Sequence, residues 1–422
     1  MTRHALDTIV NVVGNSFAPL AALASAPLLA SALGPVGRGE AAGATAPLLL
    51  ATSLASLGLP TAVNHWVARH VGHTRRVVGI AAVGTVVIGT MVTVVIALAG
   101  DVFAGGDAQL GDLVASAAWA LVPNLLAALM QAMAAGQQAW RLVALERAVT
   151  NGSRLLALAL LAGNDALTVE SAVLVIAMSP VVGAVVYLPL LRTRRGGATP
   201  VAVASVLSYG GRVWFGALAG IALTRIDQIL MVPLAGAAAL GVYAIAVNLG
   251  EIPLTVANAV REVTFSRQSG RLDHEQLARS SRLTSAAVVV SCIAIAAVLP
   301  WFLPTFFGEE FVVALPVAMV LLIVCAISVP GSLAGVGLAA AGRPGLRSGS
   351  LALAAVCNLV LLVTLAPSMG AMGAAIATLA GSVVSNGLNL LLLYRVLAIA
   401  PRSLCGVRVD DLRAVRGMFR RR

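Results

Sequence analysis

Arg147, Asn151 and Arg154 are spaced four and three residues apart within a largely apolar stretch at 142–162. In a helix this spacing places all three on one face. Two guanidiniums on one face offer planar forks that match a phosphate or similar oxyanion. The structural reading of the same pattern has Arg147 snorkelling to an interface and Arg154 neutralised by a carboxylate such as Asp227 or Glu251. A second stripe consists of Asn248, Glu251, Thr255, Asn258 and Glu262, at spacings of three, four, three and four. Such a stripe either bonds helix to helix or lines a water-filled cavity. Arg225 and Asp227 are two apart and so face different ways, which leaves them poorly placed to neutralise each other. Milder stripes occur at Asp7, Asn11 and Asn15, and at Thr378, Ser382, Ser385 and Asn389.

The elements carrying these side chains must hold charge within an apolar medium. Of the 422 residues, 59% are hydrophobic and only 11% charged, and the mean hydropathy is +0.96. Soluble domains carry about 25% charged residues, so a soluble globular protein is excluded. A helix crossing a bilayer needs about 20 apolar residues. Twelve stretches satisfy this, near 8–33, 43–63, 77–99, 113–135, 142–162, 171–191, 213–235, 241–264, 283–307, 312–340, 349–368 and 371–394. They leave no room for a large extramembrane domain.

All 28 basic residues are arginine, as expected of G+C-rich bacterial coding. With the N-terminus in the cytoplasm, all but three fall on the cytoplasmic side of the twelve spans. The exceptions are Arg38, in the outer turn after span 1, and Arg154 and Arg225, inside spans. The outer segments instead hold Glu40, Asp101, Asp107, Asp112, Asp165, Glu170, Glu309 and Glu310. Arginine retained at cytoplasmic span ends gives this sorting, and a missing span would scramble it. Both termini are therefore expected in the cytoplasm. Arg3 and His4 ahead of an apolar run with Ala-Ser-Ala sites resemble a signal peptide, but Asp7, Asn11 and Asn15 interrupt the run. The segment is expected to remain as span 1.

The arginine-bearing break at 192–212 separates six spans from six. The expected organisation is an N-terminal six-helix bundle at 1–200, a C-terminal six-helix bundle at 201–394 and an arginine-rich cytoplasmic tail at 395–422. A faint internal repeat aligns the turn from Leu33-Gly34-Pro35 to Gly39-Glu40-Ala41 with that from Leu234 to Gly241-Val242-Tyr243. No GxSxG, Walker A, HExxH or Asp-x-Asp pattern gives catalysis an address, so the chain does not read as an enzyme. His65, His70 and His73, grouped with Arg69, Arg75 and Arg76, read as a solvated interfacial face. Cys292, Cys325, Cys357 and Cys405 lack the spacing of a disulfide framework or metal site. The net charge of +11 is scattered and the aromatic content is 4%, which argues for membrane topology and against nucleic acid.

A further set of phrases recurs in order along nearly the whole chain. These are Leu33-Gly34-Pro35 with Gly37, Gly39 and Glu40, then Ser56-Leu57-Gly58-Leu59-Pro60-Thr61-Ala62. Next come Arg225-Ile226-Asp227-Gln228 and Leu240-Gly241-Val242-Tyr243-Ala244. Phe307-Gly308-Glu309-Glu310-Phe311, Gly342-Arg343-Pro344, Asn358-Leu359, and Gly370 with Gly373-Ala374-Ala375-Ile376-Ala377-Thr378 complete the set. Together they make the chain resemble bacterial oligosaccharide and polysaccharide flippases of the multidrug/oligosaccharidyl-lipid/polysaccharide (MOP) exporter superfamily. One departure is Glu40-Ala41-Ala42, where an aromatic residue is usual after the first turn; the second half keeps Tyr243.

The resemblance implies an all-α polytopic protein of the bacterial cytoplasmic membrane, with two six-helix bundles around a central cavity that opens alternately to each side. It also implies a polyprenyl-diphosphate-linked oligosaccharide as substrate, moved from the inner to the outer leaflet for surface polysaccharide export. On that expectation Arg154 and Arg225, helped by Arg147, hold the diphosphate, and Asn248, Thr255 and Asn258 contact sugars. Asp227 and Glu251 would serve proton or sodium coupling, because a partly desolvated carboxylate can change charge during a cycle. No other cofactor and no metal is expected. The expected partners are the lipid-linked oligosaccharide, membrane lipid, and a glycan polymerase or glycosyltransferase. Three alternatives stand beside this reading. A cation-coupled multidrug exporter of the same superfamily would favour aromatic and acidic cavity groups, and the chain has only nine Phe, five Trp and four Tyr. A membrane-embedded glycan-assembly enzyme would need larger loops. A scaffold would recruit partners through the tail.

Overall fold

The computed structural model describes residues 3–69, 74–191, 203–268 and 273–406. Among these the regular elements are helical and there is no strand. In chain order they are α1 (Arg3–Ala55), α2 (Leu59–Arg69), α3 (Thr74–Leu98), α4 (Gly100–Phe103), α5 (Ala108–Ala118), α6 (Leu121–Gly136), α7 (Trp140–Gly163), α8 (Val169–Ala184) and α9 (Leu188–Leu191). They continue with α10 (Val203–Gln268), α11 (His274–Phe307), α12 (Ala314–Ala340), α13 (Pro344–Met369), α14 (Ala371–Leu397) and α15 (Pro401–Leu404).

Two of these are helix pairs joined at a glycine. α1 breaks at Gly34, with φ 65° and ψ −176°, and α10 breaks at Gly236, with φ 84° and ψ 167°. A positive φ is open to glycine at little steric cost. Pro35 follows the first break, at the helix start where its missing N–H removes no hydrogen bond. With both breaks counted, twelve long helical runs among the described residues correspond to the twelve stretches read from sequence, but the second ends at Ala55, inside the expected 43–63, and the short α2 follows after a turn. Nine helices among the described residues are individually long and apolar enough to cross a membrane. The difference arises because each broken helix counts once and because α7, which carries Arg141, Glu146, Arg147 and Arg154, is less apolar. The fold is thus that of an all-α, multi-pass membrane protein.

By packing the chain falls into two compact units, Met1–Ala244 and Ile245–Arg422. In the first, Leu59, Val63 and Val67 of α2 meet Val77 and Ala81 of α3, Leu129 and Met133 of α6, and Val206 of α10. A second cluster joins Ala134 of α6, Val143 of α7, Ala184 of α8 and Tyr187. Helix α1 packs along α7. Buried polar groups bridge neighbours: Asn124 donates to the Ala177 carbonyl at 3.1 Å and Thr93 to the Ala118 carbonyl at 3.2 Å. The two repeat turns also meet. A Cβ on Gly39 would overlap the Ala237 carbonyl oxygen, and one on Gly241 would overlap the Pro35 carbonyl oxygen. Glycine lets the two backbones approach this closely.

In the second unit, α14 packs against both α12 and α13. Gly331 accommodates Asn386, and Gly373 lies against the backbone at Leu365 and Ala366. After α14 the chain turns through Ala398 (φ 55°) and folds back. Ile399 and Leu404 join Leu277, Ala278, Ala334, Leu338 and Leu393 in an apolar cluster. Ser281 donates to the Leu404 carbonyl at 2.9 Å and the buried Arg282 to the Ser403 carbonyl at 2.8 Å.

Candidate substrate-binding site

The helix α7 supplies the expected cationic face. Asn151 donates its amide to the Arg147 carbonyl at 2.8 Å, a bond within the helix. One turn further on, Arg154 is half-buried, and its contact to another side chain is Nη2 to the Ser25 hydroxyl oxygen at 3.5 Å, at the long limit of a hydrogen bond. Ser25 directs its own proton to the Ala22 carbonyl at 3.2 Å, which leaves its oxygen as the acceptor for Arg154. Arg154 makes no ion pair among the described residues, so the neutralising carboxylate of the structural reading is not supplied.

The outer turn expected to hold Arg38 is instead helix. The second run of α1 begins directly after Gly34, and Arg38 in its first turn is 8% exposed. It lies on α1, which packs along the α7 helix that carries Arg154. No described residue accepts a hydrogen bond from Arg38, and the buried Nε atoms of both arginines have no partner. A cation at a helix N-terminus also lies at the unfavourable end of the helix dipole. A charge within a membrane costs roughly 2.5–3.5 kcal/mol even on the mildest scale. Neither arginine has its charge offset by an ion pair among the described residues.

The carboxylates are treated differently. Asp227 is buried; it accepts the Tyr243 hydroxyl at 2.5 Å and the Gln228 backbone N–H at 2.8 Å. The phrase residue Tyr243 thus braces Asp227 across the break in α10. Glu251 is exposed and Asn248 half-buried on the same helix. Arg225 belongs to α10, but its side chain, like those of Thr255 and Asn258, lies outside the described residues. Asp7, Asn11 and Asn15 likewise have no described side chains.

One carboxylate was missed by the sequence reading. Glu146, next to Arg147 but 8% exposed, accepts from Thr150 at 2.9 Å, Gln131 at 3.1 Å and the Tyr187 hydroxyl at 3.4 Å. The Glu146–Thr150 spacing of four was the signal available for it. The span 12 stripe faces inward: Ser385 and Asn389 are buried, and Thr378 meets Asn358 at 3.4 Å. His65 stacks on Tyr209 with ring centroids 4.2 Å apart, whereas His70 and His73 lie outside the described residues.

Residues 5–269 match the family described as polysaccharide biosynthesis protein. No curated protein matches the chain. Among solved structures, a lipid II flippase MurJ in an inward closed conformation superposes with a TM-score of 0.76 at 11% identity, covering 94% of this chain and 91% of that one. An inward-facing multidrug resistance MATE family transporter of the MOP superfamily gives 0.71 at 16% identity, covering 92% and 98%. A MOP superfamily transporter from Pyrococcus furiosus, whose binding pocket has reversed polarity, gives 0.61 at 15% identity, covering 93% and 94%. The fold is therefore the one shared by these transporters.

Proposed function

Because the chain belongs to the polysaccharide biosynthesis protein family, we propose that it is a flippase that carries a polyprenyl-diphosphate-linked oligosaccharide from the inner to the outer leaflet of a bacterial cytoplasmic membrane. It acts by alternating access between two six-helix bundles, 1–200 and 201–394, and supplies surface polysaccharide export. The observation that carries this reading is Arg154: a guanidinium inside a membrane-spanning helix whose side-chain contact is a hydroxyl and not a carboxylate. An amphiphile with a diphosphate headgroup supplies the missing charge, and its lipid tail stays in the bilayer while the headgroup crosses. Arg147 and Arg225 assist Arg154 with the diphosphate, while Asn248, Thr255 and Asn258 contact sugars.

Asp227 and Glu251 are the proposed proton or sodium coupling groups. Of the two, Glu251 is the exposed one and Asp227 already holds two donors. A glycan polymerase or glycosyltransferase acting on the same lipid is the proposed partner. The MATE-type fold also suits a drug exporter, but a cationic drug is repelled by Arg154, and the aromatic content is only 4%.

The reading is tested by reconstituting the full chain in proteoliposomes with a polyprenyl-diphosphate glycan and following its appearance in the opposite leaflet. Arg154→Ala is expected to slow flipping at least tenfold, equivalent to about 1.4 kcal/mol, with the protein still inserted. Undiminished flipping in the variant, or efflux of cationic dyes in place of glycan movement, overturns the reading.

A further inference from the structure

We propose that Glu146 is a positioning residue: its carboxylate fixes the rotation of α7 about its own axis and so aims the face that carries Arg147, Asn151 and Arg154. What that face binds rests on the flippase reading. α7 has little apolar grip on its neighbours. Of its 24 residues only Val143, Glu146 and Leu158 are buried, so the one polar group among them has a large share in deciding which way the helix faces.

Glu146 is held from two neighbouring elements and from its own helix. Gln131 of α6 and the fully buried Tyr187, in the 3-10 turn after α8, donate to one carboxylate oxygen at 3.1 and 3.4 Å. Thr150, one turn further along α7, donates to the other at 2.9 Å. Gly183 of α8 brings main chain against the same turn: a Cβ there would overlap the Thr150 hydroxyl oxygen and lie 3.1 Å from the Glu146 carbonyl oxygen. Between helices in a bilayer there is no hydrophobic driving force, so hydrogen bonds and close backbone approach of this kind decide the packing.

At 3.6 residues per turn, Arg147, Asn151 and Arg154 lie about 80–140° round the helix from Glu146 in one direction. The exposed Leu145, Leu156 and Leu160 lie about 40–100° round in the other. Glu146 thus stands at the seam between a cationic face and an apolar face suited to lipid. Rotating α7 by about a quarter-turn would take the arginines off the side on which Arg154 meets Ser25 of α1. A carboxylate suits the seam because it only accepts, and its two oxygens offer about four lone-pair sites, enough for three converging donors. An amide in its place would turn a donor end into them, and a leucine would accept from none.

The rotation can be read directly. In a full chain whose native cysteines are replaced, Asn151→Cys and Leu156→Cys sample the two faces, and their rates of reaction with a water-soluble maleimide are compared in proteoliposomes. The thiolate is the reactive form, and a thiol facing lipid stays protonated. With Glu146 in place, Asn151→Cys is expected to react at least tenfold faster than Leu156→Cys. Glu146→Leu is expected to shrink that ratio at least threefold, and Tyr187→Phe, which removes one donor, should shrink it by less. Glu146→Gln keeps the side-chain volume, carries the test if Glu146→Leu fails to insert, and should fall between them. In the flipping assay Glu146→Gln is expected to raise the glycan concentration giving half the maximal rate, because a misaimed face binds more weakly.

The proposal is overturned if Leu156→Cys reacts as fast as Asn151→Cys with Glu146 in place. It is also overturned if the ratio is unchanged in the Glu146 variants while the unfolding temperature falls, since a group that adds only stability leaves the facing of the helix intact. Failure of this role and failure of the flippase reading are distinguishable. A ratio that depends on Glu146 in a protein that flips no glycan removes the flippase reading alone. Flipping that depends on Arg154, with a ratio indifferent to Glu146, removes the positioning role alone.

Discussion

Arg38 and Asp227 are both charged residues buried to the same degree in membrane helices, yet they are partnered in opposite ways. Asp227 has a hydroxyl and a backbone N–H on its two oxygens, and Arg38 has no acceptor among the described residues. The first pattern is that of a brace, and the second leaves a cation that no described side chain offsets. Tyr243→Phe removes the short bond to Asp227 and is expected to destabilise the protein by roughly 1–3 kcal/mol, the cost of leaving a buried polar group without its partner. Denaturation in detergent with a tryptophan signal would measure it, and an unchanged midpoint would mean that the hydroxyl is not a brace. At this scale the sequence was informative where charge fell inside an unmistakable span, as at Arg154 and Asp227. It was uninformative at Arg38, because a charge just past Gly34-Pro35 reads as a loop; a glycine break that restarts the helix at once leaves no mark in hydropathy. Glu146 escaped notice because it faces away from the Arg147–Arg154 stripe, towards Gln131 and Tyr187.

The positions of the helices were the most legible feature, because about 20 apolar residues are a physical requirement of a crossing. Their ends were less so. α10 begins at Val203 and α11 at His274, several residues before the apolar runs at 213 and 283. Backbone hydrogen bonding continues past the hydrocarbon boundary, where polar side chains can face water, so helices outlast the hydropathy signal. The last segment differs in kind. Residues 395–422 read as one basic tail, yet Ile399 and Leu404 are buried among α11, α12 and α14, and Arg282 is committed to the Ser403 carbonyl. Two or three apolar residues in a basic context fall below any span threshold, and only the partner surface reveals their role. Truncation after Ala398 is therefore expected to unfold at a lower temperature than truncation after Gly406, because it removes the buried Ile399 and Leu404, each worth about 1.5–3 kcal/mol when fully buried. Equal effects of the two truncations would show that the fold-back adds nothing to stability.

For the molecule as a whole, the arginine sorting predicts that residues 164–168 lie outside and the C-terminus lies inside. A cysteine at the exposed Asn164, introduced into a chain whose native cysteines are replaced, should react with a membrane-impermeant maleimide in intact cells. A fluorescent protein fused to the C-terminus should mature in the cytoplasm, and labelling from the opposite side would invert the topology. The internal repeat, faint as letters, is clearer as backbone: Gly34 and Gly236 are both breaks with positive φ, and Gly39 and Gly241 occupy matching places beyond them. These last two glycines also constrain how the gene can change. Every base change at the first or second position of a glycine codon installs at least a Cβ or stops the chain, and at codons 39 and 241 that atom would meet main chain from the other half. A side-chain substitution in the opposing turn does not remove a carbonyl oxygen, so glycine is expected at both codons.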